Sequence, residues 1–105
     1  MELLSVGTAI ATRCIRNDKG ETAYIVTIGA PRKFEDSDDF YCPVQISSPS
    51  EENSKVLYSA GIDSVQSLQL SMKLIGGILF KLNKQSGGKL RWDGDENGDL
   101  GFPNA

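Results

Sequence analysis

Residues 63–84 read DSVQSLQLSMKLIGGILFKLNK. Apolar side chains recur there with the 3.6-residue period of an α-helix. Val65, Leu68, Met72, Ile75, Leu79 and Leu82 form one stripe. Leu70, Leu74 and Ile78 lie beside it and widen the apolar face to roughly 200°. Gln66, Gln69, Lys73, Gly76 and Lys84 fill the remaining side. Asp63 stands where an N-cap belongs and Gln66 follows three residues later, a capping box with Asp in place of Ser or Thr. The helix stops before Ser86-Gly87-Gly88. So wide a face predicts burial against a sheet plus a second contact, either the C-terminal segment or another chain. Gly76-Gly77 in mid-helix costs about 2 kcal/mol relative to alanine. That cost predicts close approach of a strand to the helix backbone, or else a kink. Phe80 falls in the polar stripe and is expected under a loop or against a partner.

Upstream, the period changes from 3.6 to 2. Residues 6–16, VGTAIATRCIR, read as a strand with Ile10, Thr12 and Cys14 on one face and Ala9, Ala11, Arg13 and Ile15 on the other. The turn formers of NDKG connect it to a second strand, residues 21–29, and so short a link predicts an antiparallel hairpin. Pro31 interrupts the ladder because it has no N–H to donate. Residues 40–47, FYCPVQIS, alternate cleanly, with Phe40, Cys42, Val44 and Ile46 on the buried face. Pro43 within that run predicts an edge strand or a bulge. Residues 55–61, KVLYSAG, give a short fourth strand. At the far end, LRW (90–92) and DLGF (99–102) flank an Asn-Gly turn and predict a C-terminal hairpin whose Trp92 and Phe102 close the core. The expected fold class is α+β: a single domain, residues 1–105, with an antiparallel sheet of about four strands, one long helix packed on it, and a C-terminal β-hairpin.

The composition limits the function classes. A chain of 105 residues buries roughly 65% of its unfolded surface, enough for one core. With 11 basic and 14 acidic residues the net charge is −3, which sets the chain against phosphate backbones and so against nucleic acid. No apolar run reaches the ~18 residues of a membrane span. Glu2 stands where a secretory leader carries Lys or Arg, so a cytoplasmic location is expected. There is no His and there are two cysteines, Cys14 and Cys42. Two thiolates alone cannot fill the four positions of a structural zinc site. Two free thiols, both buried on the core side of their strands, in a reducing compartment are expected, or a disulfide should the two strands prove to be neighbours.

The acids gather in two places: Glu35, Asp36, Asp38 and Asp39, and then Asp93, Asp95, Glu96 and Asp99. In the second, Asp93, Asp95, Asn97 and Gly98 match positions 1, 3, 5 and 6 of an EF-hand loop, but position 12 falls on Asn104 instead of the bidentate Glu. The reading is therefore an acidic turn, with weak calcium binding as the alternative. No His serves as a general base, and no nucleophile elbow, P-loop or dinucleotide fingerprint is present. Asp63 and Ser64 look like a catalytic pair only until the cap is noticed. No enzyme and no cofactor are expected.

Five stretches, IATR (10–13), IGAPR (28–32), YCPVQI (41–46), GIDSVQSLQLSMKLIG (61–76) and LGFP (100–103), occur in an order that resembles a family of small bacterial proteins of unknown function. In that family a strand-rich front half precedes one helix that opens G-x-D-S-x-Q-[AS]-L. The resemblance implies a bacterial, cytoplasmic protein and supplies no catalytic residues. Size and acidity are also similar to those of immunity proteins, the antidotes of contact-dependent growth-inhibition toxins. That analogy implies a basic toxin partner, of the nuclease type, held by the eight carboxylates of the two clusters. The alternative is a small regulatory or structural protein, a homodimer formed through the wide helix face.

Overall fold

The computed structural model describes residues 1–51, 54–95 and 97–103. Period-2 segments become β1 (Ala9–Arg16), β2 (Thr22–Gly29), β3 (Arg32–Lys33), β4 (Phe40–Ser47) and β5 (Val56–Gly61), and the period-3.6 segment becomes α1 (Ser64–Gln85). All strand pairs are antiparallel, and α1 packs on one face of the resulting sheet, so the class is α+β. No described helix is long and apolar enough to cross a membrane.

β4 is the axis of the sheet. One of its edges carries β2 and then β3, and the other carries β5; β1 lies outside β2. The fifth strand, β3, was not expected from the sequence and is the continuation of β2 past a bulge. Ile28 faces Val44 and Arg32 faces Tyr41, so four steps on one chain are matched by three on the other. The bulge explains why a proline sits in the central strand. Pro43, fully buried, lies opposite Gly29-Ala30-Pro31, where no ladder hydrogen bond is required of it. Its ring fits because Gly29 has no side chain; a Cβ there would lie 2.9 Å from Pro43 Cγ and run into the Val6 carbonyl.

The helix begins as its sequence dictates. Asp63 Oδ1 accepts the Gln66 N–H at 2.7 Å, and Gln66 Oε1 accepts the N–H of Ile62, one residue before the cap, at 2.8 Å. Its buried seam differs from the expected stripe. It runs Ser67, Ser71, Ile75, Leu79 at i, i+4 spacing, while Val65 is exposed and Leu68, Met72, Leu74 and Leu82 are flanks. Two serines occupy the centre because the helix comes very close to β5. Ser71 Oγ donates to the Cys42 carbonyl at 2.6 Å and accepts the Ser59 N–H at 3.1 Å, so one hydroxyl ties α1 to two paired strands. A larger side chain would hold the helix away.

Beyond the seam, Ile75 and Leu79 enter a core with Ile15, Val26, Val44 and Leu90. Full burial of each aliphatic side chain contributes about 1.5–3 kcal/mol. The chain after α1 completes this core. Arg91 exchanges both backbone hydrogen bonds with Arg16, at 2.7 and 2.8 Å, and Leu100 and Phe102 then return across the helix. The turn here is Trp92–Asp95, closed by the Asp95 N–H on the Trp92 carbonyl at 3.1 Å. Residues 99–102 do not pair with 90–92 among the described residues, so the C-terminal segment is a strap and the expected hairpin is not observed. The strap also accounts for Gly76, where a Cβ would collide with the Pro103 carbonyl, whereas a Cβ on Gly77 meets nothing within 4 Å. The close approach is thus made by the C-terminal segment, not a strand, and at one glycine of the two.

Two outcomes test this packing. Ser71→Ala removes a buried hydroxyl that serves both a donor and an acceptor, and should lower unfolding free energy by about 1–3 kcal/mol in urea titrations. Gly77→Ala should stabilise the protein by up to about 1 kcal/mol, while Gly76→Ala should destabilise it despite the same gain in helix propensity.

Candidate functional site

The acidic stretch 35–39 is the tip of the β3–β4 connection. The Phe34 N–H donates to the Asp39 carbonyl at 3.0 Å and closes the loop, and Ser37 Oγ accepts the Asp39 N–H at 3.0 Å. Glu35, Asp36, Asp38 and Asp39 are all exposed. Lys33 Nζ lies 3.2 Å from Asp38 Oδ1, with both side chains more than half exposed, and such a pair contributes little. The loop stands on an aromatic base on the sheet face away from α1. Phe34 lies 4.8 Å from Tyr41 and 6.3 Å from Tyr58, centroid to centroid, and the tyrosines are 5.8 Å apart. This trio was not foreseen, because Tyr58 and Tyr41 become neighbours only through the offset β4–β5 register, in which Tyr58 faces Pro43.

The second acidic stretch is internally tied. Asp93 Oδ1 accepts from Arg16 Nε at 3.3 Å, Asp95 Oδ1 from the Asn97 N–H at 2.6 Å, and Asp99 Oδ1 from the Gly101 N–H at 2.8 Å. Asp93 and Asp99 are exposed and Asp95 half-buried. Glu96 lies outside the described residues, as does Asn104. The partial EF-hand pattern thus folds as consecutive Asx turns. No group of three or more metal-binding side chains converges among the described residues. The strap is anchored on Trp92, whose ring lies 3.7 Å from the Arg13 guanidinium; Arg13 Nη1 also donates to the Leu100 carbonyl at 3.0 Å. Stacking of a partly desolvated guanidinium on indole stabilises by about 0.5–2 kcal/mol.

The sheet does not bring the two acidic stretches together. Asp93 meets Arg16 at the end of β1, next to the start of β2, whereas the 35–39 tip leads into Phe40 at the start of β4. In this antiparallel order the end of β1 and the start of β4 lie at opposite ends of the sheet. The carboxylates therefore form two separate acidic surfaces.

The cysteines are both free. β2 separates β1 from β4, and Cys14 and Cys42 face opposite sides of the sheet, so their Cα atoms exceed the ~7 Å reach of a disulfide. Only Cys42 faces the core; Cys14 pairs with Ile25 on the outer face, contrary to the sequence expectation. Burial pushes the Cys42 thiol above its ordinary value, against a smaller opposing pull from the Ser71 hydroxyl, and Cys42 Sγ donates to the Gly29 carbonyl at 3.4 Å. Such a thiol packs as a small apolar group and is a poor nucleophile.

Residues 11–104 match the model of a domain of unknown function, DUF6968. The chain belongs to the DUF6968 family. No curated protein and no solved structure matches it. The DUF6968 match takes in both acidic stretches, α1 and the C-terminal strap.

The raised Cys42 thiol predicts an alkaline loss of stability for this DUF6968 domain. The folded state favours the neutral thiol, so the associated stability is fully present below the thiol's ordinary value of 9.0 and is lost as pH rises through the higher folded value. Urea unfolding from pH 8 to 10.5 should show a steeper alkaline decline for the wild type than for Cys42→Ala, and equal slopes would refute the assignment.

Proposed function

We propose that this DUF6968 protein is a non-enzymatic binding protein of the bacterial cytoplasm, an immunity protein that neutralises a basic toxin of the nuclease type. The observation that carries the reading is the 35–39 tip: four exposed carboxylates on a loop held by its own hydrogen bonds above a three-ring aromatic base. Fixed negative charge accelerates encounter with a cationic surface, and aromatic side chains dominate the core of protein interfaces. An acidic tip closed by these hydrogen bonds can occupy a basic cleft shaped for a phosphate backbone. The same charge disfavours nucleic acid and anionic membrane surfaces as partners, and the reading requires no cofactor. The 93–99 stretch is the weaker half of the proposal. Asp93, Asp95 and Asp99 each commit an oxygen inside the protein, and its position at the far end of the sheet gives it a separate contact.

The test is co-expression with the protein encoded immediately upstream. The wild type should restore growth to cells producing that protein. Replacing Glu35, Asp36, Asp38 and Asp39 with lysine should slow association at least tenfold in stopped-flow at low ionic strength, with the melting temperature little changed. Failure of the wild type to protect, or an association rate indifferent to the reversal, would refute the proposal.

A further inference from the structure

We infer that the open edge of β5, together with the flank of α1 that overhangs it, is a docking groove for an extended acidic peptide of a partner protein. β5 pairs with β4 alone. The direction of its amides follows from the ladder. Phe34, continuing β3, bonds to Asp39, so odd-numbered residues at the start of β4 bond toward β3 and even-numbered ones toward β5. Cys42 and Ser59 therefore turn their backbone polar groups toward each other, with Ser71 Oγ bridging the Cys42 carbonyl and the Ser59 N–H, and Tyr58 and Ala60 turn their N–H and C=O groups to the free edge. These groups have no backbone partner among the described residues. Beside that edge Leu70, Leu74, Gly77 and Ile78 of α1, with Ser59 and Ala60, line a groove of about 580 Å³. Leu70 is 38% exposed, and Gly77 leaves open space where a side chain would stand. Lys73 and Lys81 complete the lining and form no ion pair among the described residues.

These features define the occupant. A strand added to β5 would bond through its backbone to Tyr58 and Ala60. Every second side chain would point to the helix side and drop between Leu70, Leu74 and Ile78, which calls for apolar residues at alternate positions. The intervening or flanking residues would meet Lys73 and Lys81, which calls for Asp or Glu. The same lysines disfavour a second copy of this chain, because two-fold pairing of β5 would set both lysines of one copy against those of the other. Met1–Leu4 line an adjoining hollow at the Lys55–Tyr58 end and make no backbone hydrogen bond to β5 among the described residues. This groove is basic and apolar, and so selects a different partner surface from the acidic tip.

The test is selection of phage-displayed random octapeptides on the full chain. Enriched sequences should alternate apolar residues with Asp or Glu. A synthetic copy of the strongest should bind with at least tenfold lower affinity to Lys73→Glu/Lys81→Glu, by fluorescence anisotropy. Gly77→Leu, whose Cβ would meet nothing within 4 Å in the folded chain, should project into the groove, block it and cause a similar loss. Amide exchange at Tyr58 and Ala60 should slow in the complex. Enrichment of basic or patternless peptides, affinity unchanged in both variants, or a concentration-dependent dimer abolished by Gly77→Leu would overturn the inference.

Discussion

A single hydroxyl, Ser71 Oγ, fixes how the helix meets the sheet. It lies between the Cys42 carbonyl and the Ser59 amide, with no exposure to solvent. A buried polar group is costly unless bonded, and here both of its roles are used, so the helix has one depth and one register on β4 and β5. Ser67, one turn earlier, keeps the same short separation beside Gly61, where any Cβ would press on the helix backbone. The helix is thereby drawn toward the β5 side. Its Leu70, Leu74 and Ile78 flank overhangs a free strand edge, and the helix packs mainly on β4 and β5, so that β1 is left to be covered in part from elsewhere.

The C-terminal strap answers that second consequence. Leu90 and Leu100 fill the space between β1 and the far half of α1, and Phe102 and Trp92 hold Arg13 against it. The strap can cross the helix because Gly76 lacks a side chain there. A residue with poor helix propensity is thus retained where it permits tertiary contact. The bulge between β2 and β3 follows the same logic on the other face: Gly29 admits Pro43, and the one-residue slip carries the chain back onto β4 before the acidic tip begins.

Both proposed contact surfaces are by-products of this arrangement. The acidic tip is displayed because β3 returns the chain to the sheet, and the aromatic rings below it come from the β3–β4 connection, β4 and β5. The β5 groove exists because the helix is seated by serines and not by its widest apolar face. The two surfaces carry opposite charge, which suits a small module that contacts different partner chemistries at different places.

Much was legible locally. The strand periods, the Asp63 cap, the end of the helix before Ser86 and the solvated state of the 35–39 carboxylates are all set by interactions within a few residues, and sequence order records these directly. The expected stripe of α1 failed at Ser67 and Ser71 because hydrophobicity ranks residues by transfer from water, whereas burial at a close contact selects for size and a hydrogen-bond partner. The C-terminal hairpin is not observed because Arg91 commits its backbone hydrogen bonds to Arg16, a partner 75 positions away in the chain. The sequence by itself determined the α+β class, the helix and its cap, and where the charges fall. Only the tertiary structure decided which helix face is buried, that Cys14 and Cys42 lie on opposite faces, and that the two acidic stretches stand at opposite ends of the sheet. These depend on strand order and register, which arise from contacts between residues far apart in the chain.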